Sequence, residues 1–278
     1  MSDVLTIAPV DFHVHTGMSH DGSGTVMEYC ELAVDNGMKA VGFCEHVDLD
    51  PQDFVSGQHD YEEYRRSVEE ARARLGHSIQ IMMGAEVGFV PRISEDILQY
   101  LKEHQYDYVV GAVHTVFDGE SGISDEYDAL EAFARHDLWA LYENYFDTVA
   151  EMVTSGLFDV VGHLDLVQRF GCQKLEEDVQ WGRFYGVLRR IFEGAVKRQM
   201  PVEINTSGLR QHPQSTYPCK EILKIYKELS GEAVMLGSDA HKPTDLGAGI
   251  PAAVRLAREL GLDPSFSLKD RLPVRIEW

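Results

Sequence analysis

Asp11-Phe12-His13-Val14-His15-Thr16-Gly17-Met18-Ser19-His20-Asp21-Gly22 carries three histidines within eight positions. His13 and His15 are two apart, and on a β-strand that spacing puts both imidazoles on one face. The run before them, Leu5 to Val10, is mostly apolar and reads as a buried strand interrupted by Pro9. Gly17, Gly22 and Gly24 read as a loop. Two histidines thus stand at the end of a strand and a third stands in the turn after it. Neutral imidazole is a ligand for Zn, Fe, Mn and related ions. The plainer alternative is a His-rich turn that only caps a strand, and the rest of the chain must separate the two.

Outward from this stretch the chain alternates. Thr25 to Gly37 reads as a helix, with Thr25 as N-cap and Glu28 completing a capping box. Lys39 to Cys44 is a short strand that runs into Glu45-His46. Tyr61 to Leu75 is a charged amphipathic helix, and Ile79 to Met83 is a strand leading to Glu86. Ser94 to His104 is helical, with Ser94 as its cap. Tyr106 to Val113 is a strand that delivers His114, and the acidic loop Asp118 to Asp128 follows. Leu130 to Ser155 reads as one long helix or two.

Phe158 to Val161 is a strand ending at Gly162-His163-Leu164-Asp165. Asp178 to Gln199 is a helix. Pro201 to Ile204 is a strand delivering Asn205. Tyr217 to Leu229 is a helix, Ala233 to Leu236 a strand that delivers Asp239 and His241, and Gly249 to Leu260 a final helix. Val274 to Glu277 reads as a last short strand. Seven strand–helix units in sequence imply a parallel sheet with helical crossovers. At this length they predict a closed or nearly closed barrel, with an open doubly wound sheet as the alternative. No linker marks a boundary, so a single domain over 1–278 is expected.

In a β/α barrel the strand C-termini converge on one mouth. His13, His15, His46, Glu86, His114, His163, Asp239 and His241 all fall at such ends, and His20 falls in the first loop. Any one of these histidines alone would more often be structural. Seven of the twelve together, with a Glu and an Asp at matching places, are poorly explained by chance. His59, His77, His104 and His136 read as surface or helix residues. His212 sits in a loop that can face the mouth. Asn205 and Arg210 read as substrate contacts.

Nine N/O ligands suffice for two or three divalent ions, with one carboxylate bridging neighbours. Such sites supply hydroxide at neutral pH and stabilise both oxygens of an in-line displacement at phosphorus. No Cys ligand is in the set, which argues against a structural zinc site. No G-x-S-x-G, Walker A or G-x-G-x-x-G motif supports a serine hydrolase, NTPase or dinucleotide reading.

The 25 Lys and Arg against 46 Asp and Glu give a formal charge of −21. That balance opposes a nucleic-acid surface. Three divalent cations would bring roughly +6 into one site, so a local field can oppose the global one. Four widely spaced cysteines fit reduced thiols in the cytoplasm better than a disulfide framework. No secretory signal or apolar run of membrane-spanning length is seen, so no membrane association is expected.

The chain resembles the PHP superfamily (polymerase and histidinol phosphatase). The matching pieces are Asp11 to Thr16, Glu45-His46, Gly84-Ala85-Glu86, Gly111-Ala112-Val113-His114, Gly162-His163-Leu164-Asp165 and Gly237-Ser238-Asp239-Ala240-His241. Within it, Val202 to Arg210, Tyr217-Pro218 and Ser19-His20-Asp21-Gly22 resemble the monofunctional histidinol-phosphatases. The resemblance implies a distorted (β/α)7 TIM-like barrel with a trinuclear site of Zn, Fe or Mn. His13, His15, Glu86 and Asp239 would hold the first metal. Glu86 would bridge to a second with His114 and His163, and His20, His46 and His241 would hold the third.

The implied reaction is hydrolysis of L-histidinol phosphate by a metal-bound hydroxide, in histidine biosynthesis. The partner is therefore a small-molecule phosphate monoester. Glu86, Asp239 and His241 are the candidate catalytic residues, with Asp165 as a candidate acid for the leaving alkoxide. Arg210 and Arg169 are candidate phosphate contacts, and Asn205 and His212 further substrate contacts. Asp21, Asp165 and the loop Asp118 to Asp128 are sources of negative charge for the ammonium and imidazole end. The alternatives are another PHP phosphoesterase acting on nucleotides or phosphotyrosine, a polymerase-associated exonuclease domain, a non-catalytic metal-binding protein and a metal-dependent amidohydrolase. Oligomeric state is not legible.

Overall fold

A computed structural model describes residues 8–174 and 179–277. Seven parallel strands form one sheet in chain order: Val10–Val14, Ala40–Val47, Gln80–Gly88, Tyr108–Ala112, Val160–Val161, Val202–Asn205 and Val234–Gly237. They are mostly apolar and almost wholly buried, as a parallel sheet wrapped by helices requires, with Asp11, His13, Glu45, His46 and Glu86 as the charged or imidazole exceptions on the first three strands. Each crossover carries a helix: α1 (Val26–Asp35), α2 (Tyr61–Leu75), α3 (Ser94–Glu103), then α4 (Glu126–Arg135) with α5 (Leu138–Ser155). A short α6 (Gln168–Gly171) precedes α7 (Tyr185–Arg198), and α8 (Lys220–Glu228) and α9 (Ile250–Glu259) complete the set.

The sheet curls until its ends meet at the mouth. His15 N–H donates to Ala240 C=O at 2.8 Å and Asp239 N–H to His13 C=O at 2.8 Å. Asp11 fastens this seam from inside: its carboxylate accepts from Ser238 N–H (2.8 Å), the Ser238 hydroxyl and Gly247 N–H (2.8 Å). Burial pushes the Asp11 carboxyl up to about 6, against the pull of those bonds. The result is a nearly closed barrel, as the alternation predicts, with the seven distorted strands that the family resemblance implies. Its lumen is plugged by Tyr108, whose hydroxyl donates to Phe12 C=O at 2.8 Å. A side chain at Gly42 or Gly84 would begin 2.2 Å or 2.5 Å from the Tyr108 ring or hydroxyl, so both positions stay bare.

Local chemistry sets the helix ends. Thr25 and Glu28 form the capping box, with Glu28 N–H to Thr25 Oγ1 at 3.2 Å and Thr25 N–H to Glu28 Oε2 at 2.7 Å, a feature worth about 1 kcal/mol. The Leu130–Ser155 stretch resolves into two helices, because Asp137 accepts from Trp139 and Ala140 N–H and starts a new one. Helix α5 buries Leu141, Tyr142, Tyr145, Phe146, Val149, Met152 and Val153 on one face, each contributing about 1.5–3 kcal/mol.

Several expected bounds shift. The first strand is Val10–Val14 rather than Leu5 to Val10, so His13 lies within it; residues 5–7 lie outside the described residues. The second and third strands run on through His46 and Glu86. Ser94 is not a cap: a 3-10 turn at Pro91–Ile93 leads into α3, whose N-cap is Ile93. The eighth helix begins at Lys220, because Tyr217 is still extended and pairs with Asn205 through both backbone bonds. The seventh begins at Tyr185 after a 3-10 turn at Trp181–Phe184, and Asp178 lies outside the described residues. The C-terminal strand is half of a two-stranded ribbon, Phe266–Lys269 with Leu272–Arg275.

Candidate metal centre

Parallel register places the donors. His46 and Glu86 are direct partners across the second and third strands. His13 and His15 share a face of the first strand, with their Nε2 atoms 3.1 Å apart. His114 and His163 follow the fourth and fifth strands, and Asp239 and His241 follow the seventh. Asp239 holds a left-handed backbone (φ 56°), a conformation aspartate tolerates better than most residues, which turns its carboxylate toward the lumen.

Glu86 is the centre of the arrangement. Its Oε1 lies 2.6 Å from His163 Nε2 and 3.4 Å from His114 Nε2. Its Oε2 lies 2.9 Å from His46 Nδ1 and 3.6 Å from both His13 Nε2 and His15 Nε2. Asp239 Oδ1 lies 3.4 Å from His15 Nε2, 4.0 Å from His13 Nε2 and 3.4 Å from His241 Nδ1. His15 is stacked between His46 and His241, with ring centroids 4.3 Å and 4.2 Å away. Toward solvent, Asp21 reaches His241 at 3.2 Å, His46 at 3.5 Å and His20 at 4.0 Å.

These atoms fit divalent ions. Nitrogen and oxygen ligands at about 2.0–2.2 Å from an ion stand up to roughly 4.4 Å from one another. Four groups meet such spacing: His13–His15–Glu86, Glu86–His114–His163, His15–His46–His241 and His20–Asp21–His46, each with donor atoms within 4.8 Å of one another. The buried His163 Nδ1 has no hydrogen-bond partner among the described residues.

The electrostatics agree. Burial alone would raise the Glu86 carboxyl, yet His13, His114 and His46 hold it well below the usual range. Asp239 is likewise held down against burial by His15, His13 and His241. Burial, reinforced by His241 and His46, pushes His15 well below an ordinary imidazole, so its lone pair is available. Burial would lower His46, but Glu86 outweighs it and lifts the ring to about 10.

All nine expected ligands come together, and the cavity above them has a volume of about 1080 Å³. Arg169, Arg210 and His212 line it. Arg210 Nη2 donates to Ser238 C=O (2.8 Å) and Asp239 C=O (3.2 Å), and Arg169 Nη1 donates to Ser124 C=O at 2.8 Å. Two expected residues lie elsewhere. Asp165 is wholly buried and does not reach the cavity: its Oδ2 accepts from Cys219 N–H at 3.0 Å and from Gln168. It is therefore no acid for a leaving group. Asn205 is also wholly buried and bonds Glu203 and Asp239, each at 3.3 Å, instead of facing a substrate.

The sequence reading missed three buried residues that brace the donors. Glu203 Oε1 lies 2.6 Å from His13 Nδ1. Glu45 accepts from Thr16 N–H and, at 2.6 Å, from the Ser19 hydroxyl. Ser19 Oγ in turn lies 3.3 Å from His15 Nδ1 and accepts from His46 N–H at 3.1 Å. A carboxylate between two apolar strand residues, as Glu203 is between Val202 and Ile204, was the available signal for one of them.

A parallel barrel with imidazoles and carboxylates gathered at its C-terminal mouth defines a metal-binding barrel of the hydrolase type. More narrowly, the chain belongs to the PHP domain family, whose model matches residues 11–207. A probable histidinol-phosphatase from Deinococcus radiodurans is 28% identical over 254 residues, covering 90% of this chain and 93% of the relative. The histidinol-phosphatase of Lactococcus lactis is 24% identical over 237 residues, 84% of each chain. The crystal structure of histidinol phosphate phosphatase from Lactococcus lactis, complexed with zinc, L-histidinol and phosphate, superposes with a TM-score of 0.82. It is 20% identical, over 97% of this chain and 100% of that one.

Proposed function

We propose that this chain is a metal-dependent phosphoric monoester hydrolase that cleaves L-histidinol phosphate to L-histidinol and phosphate, a step of histidine biosynthesis. The observation that carries the reading is Glu86, whose two oxygens face two different sets of imidazoles at the floor of one open cavity. Relatives named for this activity match along most of the chain. The proposed unit is one domain over 1–278, acting in the cytoplasm, where four unpaired cysteines stay reduced. No described helix is long and apolar enough to cross a membrane.

The proposed ligand sets are His13, His15, Glu86 and Asp239; Glu86, His114 and His163; and His20, His46 and His241. Zn, Fe and Mn suit this donor set of imidazole and carboxylate. Bound ions would neutralise phosphoryl oxygens and lower the pKa of water enough to supply hydroxide at neutral pH. Arg210 spends Nη2 on two backbone carbonyls and sets Nε 3.7 Å from Asp245 Oδ2, which leaves Nη1 for a phosphate. Arg169, on α6, is placed to do the same. Asp48, Asp53, Asp125 and Asp128 also line the cavity and attract the cationic end of the substrate.

The test is phosphate release from L-histidinol phosphate by zinc- or manganese-loaded protein, beside an aryl phosphate, a nucleotide and a phosphotyrosine peptide. A kcat/KM of about 10⁴ M⁻¹s⁻¹ or more on histidinol phosphate alone is the expected result. Equal, weak turnover of all four would overturn the substrate assignment in favour of another PHP phosphoesterase.

A further inference from the structure

Glu203 is wholly buried on the sixth strand, and the proposed reaction gives it no direct task. Its carboxylate is nonetheless where three strands meet. Oε1 lies 2.6 Å from His13 Nδ1, on the first strand. Oε2 accepts from the His163 backbone N–H at 2.8 Å, just past the fifth strand, and from Asn205 Nδ2 at 3.3 Å. On the seventh strand, a side chain at Gly237 would begin 2.3 Å from Glu203 Oε1 and 2.5 Å from His13 Cβ. The barrel therefore keeps a bare position where this contact passes. A carboxylate taken out of water is costly unless its lone pairs are filled, and a purely apolar residue would suit a strand interior better.

The His13 ring is gripped on one side only. With Nδ1 on Glu203, its Nε2 faces His15, Glu86 and Asp239. An ionised carboxylate only accepts hydrogen bonds, so it keeps the N–H on Nδ1 and the lone pair on Nε2. We propose that Glu203 is a positioning residue: one oxygen fixes the tautomer of His13, the other fixes the backbone at His163, and together they set the spacing of the two donor groups that share Glu86. The proposal rests on the reading that these groups hold divalent ions. Outer partners of metal-binding histidines act in this way, orienting the ring and raising its basicity.

The test uses full-length protein and zinc, with affinity read by chelator competition and the metal-free melting temperature measured in parallel. Glu203→Gln keeps the volume, but an amide accepts at one end and donates at the other. It can satisfy the His13 Nδ1–H or the His163 N–H, never both. The expected result is about 10–100-fold weaker binding of at least one zinc, a loss larger than the modest fall in metal-free melting temperature from the one buried donor left unfilled. Glu203→Asp keeps two acceptors on a shorter stem, and is expected to hold zinc more tightly than Glu203→Gln although it leaves a larger void. Wild-type affinity in Glu203→Gln overturns the proposal. So does the reverse order of the two variants, or a fall in metal-free melting that runs parallel to the loss of zinc, since either assigns Glu203 to packing alone. A wild-type protein that takes up no zinc removes the metal-centre reading itself, and this proposal with it.

Discussion

Glu86 and His46 are register partners on neighbouring parallel strands, and Glu86 Oε2 lies 2.9 Å from His46 Nδ1. In a parallel sheet, partners in register send their side chains to the same face. One carboxylate thereby stands beside an imidazole of the outer group while its other oxygen turns to His163 and His114. Glu86 is a member of two donor groups and lies against His15 and His46 of the other two.

Replacing Glu86 should therefore act on more than one ion at once. In Glu86→Gln the volume stays and the charge goes, leaving His13, His46 and His114 without the anion that faces them. The expected outcome is loss of at least one bound ion, with kcat/KM falling by about 10²–10³ or more, as when one electrostatic contact to a transition state is removed. Metal analysis and steady-state kinetics on the same preparation check it. A Glu86→Gln protein with full metal content and turnover would return Glu86 to a structural role.

Metal removal follows the same logic. Without ions the cluster packs seven imidazoles around the carboxylates of Glu86, Asp239 and Asp21, with His15 pressed between His46 and His241. A ligand that binds only the folded state at 100 times its Kd adds about 2.7 kcal/mol. For a chain of this size that corresponds to a rise in Tm of roughly 5 °C. Chelation should abolish phosphate release and lower Tm by that order, and zinc or manganese should restore both. An unchanged Tm on chelation would count against a saturated metal centre.

Much of this was legible beforehand, for a physical reason. Parallel β/α alternation forces strand ends to one mouth, so residues at those ends converge whatever their separation in the chain. His13 and Asp239 are more than two hundred positions apart, and a 2.8 Å backbone bond joins them. The bracing residues were hardly legible beyond the charge of Glu203 between Val202 and Ile204, because their roles depend on which atoms approach across the lumen. Glu203, Glu45 and Ser19 carry no spacing signal. Asp165 and Asn205 illustrate the converse error: both follow strands as the donors do, yet each turns inward onto protein partners. Position at a strand end fixes the neighbourhood of a side chain but not the direction in which it points.

Arg210 tests the substrate side. Its guanidinium is held in place by Ser238 and Asp239 carbonyls rather than left to solvent. Removing a hydrogen bond to a charged group costs about 1.5–3 kcal/mol, which is roughly 10–100-fold in kcat/KM. Arg210→Ala should show that loss mainly as a raised KM, with the ions retained. Arg210→Lys should recover little, because an ammonium cannot reproduce the planar fork. Kinetics unchanged in both variants would place Arg210 outside the phosphate site.

Asp165 offers a prediction independent of turnover. Burial pushes its carboxyl up to about 7, against the hydrogen bonds from Cys219 N–H and Gln168, and its Oδ1 has no partner among the described residues. In the unfolded chain an aspartate titrates near about 3.9. The folded protein therefore holds a proton that the unfolded chain has already released. The stability linked to this group is fully present below about pH 4 and is lost as pH rises through about 7. At about 1.4 kcal/mol per pH unit the whole span is worth about 4 kcal/mol at most. Asp165→Asn does not titrate and keeps an acceptor for Cys219 N–H. Between pH 5 and pH 8, the metal-free wild type should lose about 2–3 kcal/mol relative to metal-free Asp165→Asn. Urea unfolding of both proteins at the two pH values measures the difference, in which the other titrating groups cancel. Parallel pH dependence would mean that Asp165 is ionised in the folded state at pH 5, and that Cys219 and Gln168 compensate its charge fully.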